Sequence, residues 1–254
     1  MKSETTIHTQ NEGLQCKSLY RLGGAAAVLI VLTAVAEIGI TFLPGGYTTA
    51  ETVLDWFALL QDNWFLGLRN LGLLNIVMTA LGIPMLFALY IAHRRVNPTY
   101  AALAMIISLL GDAVFYATNR AFPMLDLSIR YAAAATEAQR AVIEAAGQAM
   151  LSVGQSHTPG TFLAFFLSEL GGIAISIVML RGGMFHKAAS YAGIVGFGFL
   201  LVFDILSSFV PSLHDAILIL AMLGGISSMV WYILIAVGLY QLGKNIEQEG
   251  RSHE

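Results

Sequence analysis

Six long apolar stretches alternate with short polar ones along the chain, at residues 22–43, 65–92, 100–121, 161–180, 188–210 and 216–242. Each reaches the roughly 20 residues that an α-helix needs to cross about 30 Å of hydrocarbon. Ten-residue segments of strict apolar–polar alternation are absent, which removes a transmembrane β-barrel. The pattern predicts an all-α, polytopic bundle of six transmembrane helices. Ala34, Val35 and Ala36 resemble a signal-peptidase site. The leader before them is long and polar, and the apolar run continues past them to Leu43, so the first stretch reads as a retained span.

The polar remainder sets the organisation. Residues 1–19 form a polar leader, 20–242 the six-helix domain, and 243–254 a polar tail that reads as frayed. Lys2, Lys17, Arg21, Arg94, Arg95, Arg181, Lys187, Lys244 and Arg251 fall on one side of the spans. Only Arg69, Arg120, Arg130 and Arg140 fall on the other. Nine basic residues against four place both termini in the cytoplasm.

Two outer connections carry helical signals of their own, over about 48–62 and 124–156. Thr48 and Glu51 have capping-box spacing. Val53, Leu54, Phe57 and Leu60 follow at helical intervals, with Trp56 and Trp64 suited to the membrane interface. Thr136 and Gln139 form a second capping pattern, and Arg140 with Glu144 an i,i+4 pair behind it. These segments read as amphipathic helices on the outer face, either roofing the bundle or simply tethering spans.

Composition strengthens the membrane reading. The 254 residues are 57% hydrophobic and 11% charged, where soluble domains carry roughly a quarter charged residues. So much apolar surface exceeds what one soluble core can hide, and lipid removes the need to hide it. A net charge of -3 and the lack of a basic arm exclude nucleic acid as a partner. The single cysteine, Cys16, forbids an intrachain disulfide.

Chemistry, if present, lies in polar residues within the spans. Glu37 sits between Thr33 and Thr41 on the first. Arg69 and Asn70 open the second, with Asn75 and Thr79 deeper. Asp112, Tyr116, Asn119 and Arg120 follow one stripe of the third. Glu169 shares a face of the fourth with Gly172 and Ser176, and Asp204 lies on the fifth with Ser207 and Ser208 a turn on. Glu37, Arg69, Asn119, Arg120 and Asp204 fall in the outer half of the bilayer, with Asp112 and Glu169 nearer its middle. A lone charge at mid-membrane costs at least about 2.5 kcal/mol, so these groups should face one another or water. They predict a polar chamber opening outward above an apolar floor. Four carboxylates against two guanidinium groups leave a surplus of two negatives, which calls for protons or a cation. The roles expected are Asp112 and Glu169 as titrating or cation-binding groups, and Arg69 and Arg120 as counter-charges or anchors for an anionic group. Glu37 and Asp204 would form the outer wall. The plainer alternative is a set of ion pairs that only holds helices together.

Other motifs tell mainly by absence. No span contains lysine, and no zinc-protease, Walker or dinucleotide fingerprint occurs, so no cofactor is expected. Ser227 after Gly224 and Gly225 has the look of an intramembrane serine protease, but no later span holds a histidine to act as base. It reads as helix packing, with Gly172, Ser176, Gly224 and Ser228 as small faces that a homodimer could also use. Gly193, Gly196 and Gly198 let neighbours approach the fifth span, and Pro84 kinks the second. His157 could complete a metal site with Glu169 or Asp112, or be a solvent-facing loop residue.

The stretches Asn119-Arg120-Ala121-Phe122-Pro123-Met124-Leu125-Asp126 and Thr158-Pro159-Gly160-Thr161-Phe162-Leu163 resemble a group of uncharacterised bacterial membrane proteins, domain of unknown function 4386. Glu169 with its following glycines, and Val178-Met179-Leu180-Arg181, extend the resemblance over nearly all of the chain after the leader. It implies a six-helix bundle in a bacterial cytoplasmic membrane and brings no activity or active-site residues.

The function expected is binding or transport of a small molecule or ion through an acidic, outward-opening chamber, with the lipid bilayer as partner and the ligand unidentified. An intramembrane enzyme acting on a lipid-like substrate, and a non-catalytic membrane partner or regulatory subunit, are the alternatives.

Overall fold

The computed structural model describes the backbone of residues 2–43, 46 and 48–252, and the side chains of 16–43, 46, 48–210, 212–213, 216–246 and 248. Among the described residues it is all-helical, without strands. The elements are α1 (Lys2–Thr41), α2 (Val53–Asp62), α3 (Trp64–Asn70), α4 (Leu73–His93), α5 (Pro98–Thr118), α6 (Ala121–Ala133), α7 (Glu137–Leu151), α8 (Phe162–Gly182) and α9 (Lys187–Phe209). A 3-10 turn, Pro211–Leu213, then leads into α10 (His214–Ser252). Six helical segments are long and apolar enough to cross a membrane, as a multi-pass membrane protein requires. They are supplied by α1, α4, α5, α8, α9 and α10, the apolar stretch of the third running on past the break at Asn119 into α6.

Each span packs on its neighbours in sequence, and α10 closes the ring against α1. Short connections turn α4 into α5, α8 into α9 and α9 into α10, while α2 with α3 and α6 with α7 bridge the two long ones. α5 and α8 still run antiparallel, Gly111 meeting Ser168 and Gly171 meeting Ser108. Leu32, Leu110, Ile219 and Met222 stand exposed on the outside of the ring. In water such faces would drive aggregation; against lipid they cost nothing.

Inside the ring, close approach is bought with small residues. A Cβ on Gly111 of α5 would lie 2.7 Å from the Ser168 backbone nitrogen, and one on Gly171 of α8 would lie 2.8 Å from that of Ser108. The two helices therefore touch backbone to backbone at a reciprocal Ser-x-x-Gly crossing. Gly172 accommodates the Phe197 ring, Gly193 the Trp231 indole, and Gly196 the backbone of α10 at Ser228. Gly198 has nothing within 4 Å, so it does not serve the close packing expected of it. Gly172, Ser176, Gly224 and Ser228 are used within the chain rather than left as free faces.

Several boundaries differ from the sequence expectation. The second apolar run is broken at Gly72, whose φ of +99° is a left-handed turn that glycine adopts without penalty. The span proper begins at Leu73, and Arg69 belongs to the short α3. The leader and tail are continuous with α1 and α10 as far as residues 2 and 252. Residues 1, 44, 45, 47, 253 and 254 lie outside the described residues, as do the side chains of Lys2 and Arg251 that entered the charge count.

At one end of the bundle α2, α3, α6 and α7 build a cap with a core of its own, centred on Trp56, Phe57, Leu60, Leu68 and Met124. Trp56 is a core residue there, not an interfacial one, whereas Trp64 is exposed. Ser128 Oγ donates to the Phe57 carbonyl at 3.0 Å and locks α6 against α2. The capping box on α2 is Thr52 with Asp55 rather than Thr48 with Glu51. The Asp55 carboxylate accepts from the backbone amides of both Glu51 and Thr52, and Thr48 caps only Ala50. Thr136 and Gln139 form the expected box on α7. Arg140 pairs with Glu137 at 3.1 Å in place of Glu144.

Hydrogen bonds from the Thr52 backbone and hydroxyl hold the Asp55 carboxyl below its ordinary value of 3.8. A depressed folded value means stability that is present above the unfolded one and lost as pH falls through the folded one. The protection of the α2 amides relative to their intrinsic exchange rates should therefore fall below about pH 4, and in Asp55→Asn it should be low already at neutral pH. Equal exchange in wild type and variant at neutral pH would refute the role of this cap.

Candidate functional site

Ionisable groups converge near the capped end. Glu37 lies four residues from the α1 terminus, Asp204 five from that of α9, Asp112 six from that of α5, and Glu169 seven from the start of α8. At 1.5 Å per residue these depths span roughly 6–11 Å below the helix ends. The groups do not form a single chamber, because they divide into two tiers.

The upper tier is an open cavity of about 260 Å³ between the cap and the helix ends. Glu37, Arg69, Asn70, Asn75, Asn119 and Arg120 line it, with Gln155, Ser156 and Thr161 from the α7–α8 connection. That volume far exceeds the roughly 10–15 Å³ one water needs. Arg69 is almost fully enclosed and acts as a clamp on the end of α1. Its guanidinium meets the Glu37 carboxylate at 2.9 Å and the Glu37 carbonyl at 2.8 Å. It also donates to the Thr41 hydroxyl and, at 2.7 Å, to the Gly46 carbonyl. A cation at a helix C-terminus meets both the free carbonyls and the negative end of the dipole. Of the two roles expected for Arg69, the geometry supports counter-charge and not ligand anchor.

Arg120 is different. It follows the break at Asn119, whose backbone is extended and whose side-chain oxygen caps Ala121 at 2.9 Å. α5 therefore stops at Thr118, and Asn119 and Arg120 leave the stripe that continues Asp112 and Tyr116. The Arg120 guanidinium bonds the Leu151 carbonyl at 3.2 Å and forms no ion pair among the described residues.

Phe115 and Phe165, with ring centroids 6.1 Å apart, floor the cavity. The lower tier begins with His157, whose φ of +59° is unusual outside glycine. The turn that imposes it is tied by Thr158 and Thr161 hydroxyls, both donating to the Gln155 carbonyl. The imidazole packs against Phe165 at 4.1 Å and Phe203 at 5.0 Å, and its Nδ1 lies 3.1 Å from Asp204 Oδ1. His157 thus meets Asp204 rather than Glu169 or Asp112, and is half-buried rather than a free solvent-facing residue. No group of three or more histidine, cysteine, aspartate or glutamate side chains placed to hold a metal occurs among the described residues.

Asp204 is fully buried and does not form the outer wall assigned to it. Glu169 lies within its electrostatic reach, and each acid keeps one buried oxygen without a hydrogen-bond partner. Asp112 is an electrostatic neighbour of Tyr116 and Tyr232 and does not line the cavity. Tyr116 itself is exposed and lies outside the cavity. The expectation of one acidic chamber is corrected on both counts. Phe115 and Phe165 separate the tiers, and the cavity lining holds one carboxylate against two guanidinium groups.

Below both tiers the ring is filled by Leu89, Ile175, Met179, Trp231, Ile235 and Leu239, the apolar floor that the sequence predicted. The lining residues missed in the sequence include Leu71, Gly72, Phe115, Thr118 and Phe165 and, in the α7–α8 turn, Gly154, Gln155 and Ser156. Only the Gly154, Pro159 and Gly160 breakers signalled an ordered turn there. No protein-family model matches this chain, and no curated protein or solved structure matches it significantly.

Proposed function

We propose that this chain is a six-span protein of a bacterial cytoplasmic membrane, with both termini inside, that binds a small molecule or ion in the cavity of the capped end. The observation that carries the reading is a roomy polar cavity bounded by α1, α4, α5 and the cap, set in a bundle whose outer faces are apolar. The distribution of basic residues puts that end outside, with α2, α6 and α7 as amphipathic helices over the outer surface. The apolar half below closes the route to the other side, so carriage across the membrane would require that half to open. Kinship with domain of unknown function 4386 belongs to the same proposal. The two stretches that carry the resemblance contribute Asn119, Arg120 and Thr161 to the cavity.

Cysteine accessibility tests the reading. With Cys16→Ser as background, Asn75→Cys should react with a membrane-impermeant maleimide added to intact cells. The native Cys16 should react only after permeabilisation. The reverse pattern would overturn the orientation, and an inert Asn75→Cys in folded protein would overturn the open cavity.

A further inference from the structure

Resting on that reading of the cavity, we infer that it recognises an oxyanion, the carboxylate or phosphate group of a small solute or of a lipid headgroup, with Arg120 as its principal binding residue. The charge of the lining comes first. Glu37 is the one carboxylate in it and is engaged by Arg69 at 2.9 Å, which leaves the charge of Arg120 uncompensated. Burial sharpens this. Arg120 is only 7% exposed, and a single bond, to the Leu151 carbonyl, engages a group with five N–H donors in a planar fork. A guanidinium so far removed from bulk water seeks an anion, and the fork matches two oxygens of a carboxylate or phosphate.

The helix ends agree independently. α4, α6 and α8 all start at the cavity wall, with Gly72, Arg120 and Thr161 as their N-cap residues. None of the three gives its helix a side-chain cap. The positive ends of three dipoles thus meet one space, with free first-turn N–H groups from α4 and α8, whereas in α6 Asn119 takes the Ala121 N–H and Pro123 has none. Three C-termini reach the same wall and would oppose an anion. In α3 the backbone amides of Leu71 and Gly72 take the Gly67, Leu68 and Arg69 carbonyls, and the other two ends are covered by side chains. Arg69 covers that of α1, and the Thr118 hydroxyl bonds the Val114 and Phe115 carbonyls of α5. The acids of the lower tier lie beyond Phe115 and Phe165 and do not neutralise the lining.

The test uses full-length Cys16→Ser protein carrying Ser156→Cys, at an exposed position of the lining, in phosphatidylcholine vesicles. Its rates with an anionic sulfonatoethyl and a cationic trimethylammonium-ethyl thiosulfonate are each divided by the rate with a free thiol. The anionic reagent should be favoured by about tenfold, the lower range of electrostatic focusing in a cleft. Arg120→Gln should bring the ratio towards one, and Arg120→Lys should keep most of it. Equal rates, a cationic preference, or a preference untouched by Arg120→Gln would each overturn the inference. If Arg120→Gln does not fold, the ratio in the Arg120 protein decides alone. Failure of both reagents would instead strike at the open cavity itself. Slowing of the anionic reagent by millimolar inorganic phosphate identifies a free solute, and slowing only on adding phosphatidylglycerol identifies a lipid headgroup. Slowing by neither overturns the site.

Discussion

Replacing Arg69 with methionine should lower the apparent melting temperature in detergent by on the order of 5–10 °C, the shift expected of roughly 2–3 kcal/mol in a chain of this size. The substitution removes the donors that satisfy the Glu37 and Gly46 carbonyls and the Thr41 hydroxyl, and strands the Glu37 carboxylate. Breaking one side of a buried pair costs about 3–5 kcal/mol, and the lower figure reflects a Glu37 side chain about a third exposed, at 32%. Glu37→Gln should be much milder, because Arg69 keeps three backbone and hydroxyl acceptors at the end of α1. Arg69→Lys should fall between the two, since an ammonium cannot span these acceptors as a planar fork does. Equal losses for Arg69→Met and Glu37→Gln would show that the ion pair alone matters and that the helix end does not.

The α5–α8 crossing should be equally unforgiving. Gly111→Ala and Gly171→Ala are each expected to cost about 1–3 kcal/mol, the range for overpacking a filled interface. The new methyl on Gly111 meets main chain on two sides, the Ser168 nitrogen at 2.7 Å and the Ala164 carbonyl at 2.9 Å. Trimming the hydroxyl with Ser168→Ala should therefore fail to rescue it. The double variant should cost less than the sum of its parts, since one separation of the helices relieves both clashes. Gly198→Ala and Gly225→Ala are the controls. Nothing lies within 4 Å of either added Cβ, and removing a helical glycine should leave stability unchanged or raise it by about 0.5–1 kcal/mol. Size-exclusion profiles and thermal unfolding of the four single variants read this out. Comparable losses at Gly198 and Gly111 would mean that the crossing is not where α5 and α8 are held.

The upper and lower tiers also separate two kinds of burial. In the cavity, Arg120 is enclosed yet keeps donors for a ligand. In the lower tier, Asp204 and Glu169 each hide an oxygen from any partner. Phe115, Phe165 and Phe203 keep these environments apart, and His157 is held between the last two with its Nδ1 on Asp204. Phe165 lines the cavity and packs on His157, which ties the α7–α8 turn to α9.

Much of this was legible from residue order alone. Apolar length determined the six spans, because hydrocarbon thickness sets the number of residues a helix needs. Helical rise gave the distance of Glu37, Asp112, Glu169 and Asp204 from their span ends, because that distance depends only on counting residues. Which of these side chains meet was decided by the tertiary structure, because rotation about a helix axis and the entry of distant loops leave no local trace. The third apolar run gives no sign that α5 stops at Thr118 and turns Arg120 away from the Asp112 stripe. Nor does a histidine in a polar connection reveal that a left-handed turn will carry it between two phenylalanines onto Asp204. Hydrophobicity acts on each segment separately and can be read one segment at a time. Charge pairing needs two partners in three dimensions, and that is where the site was settled.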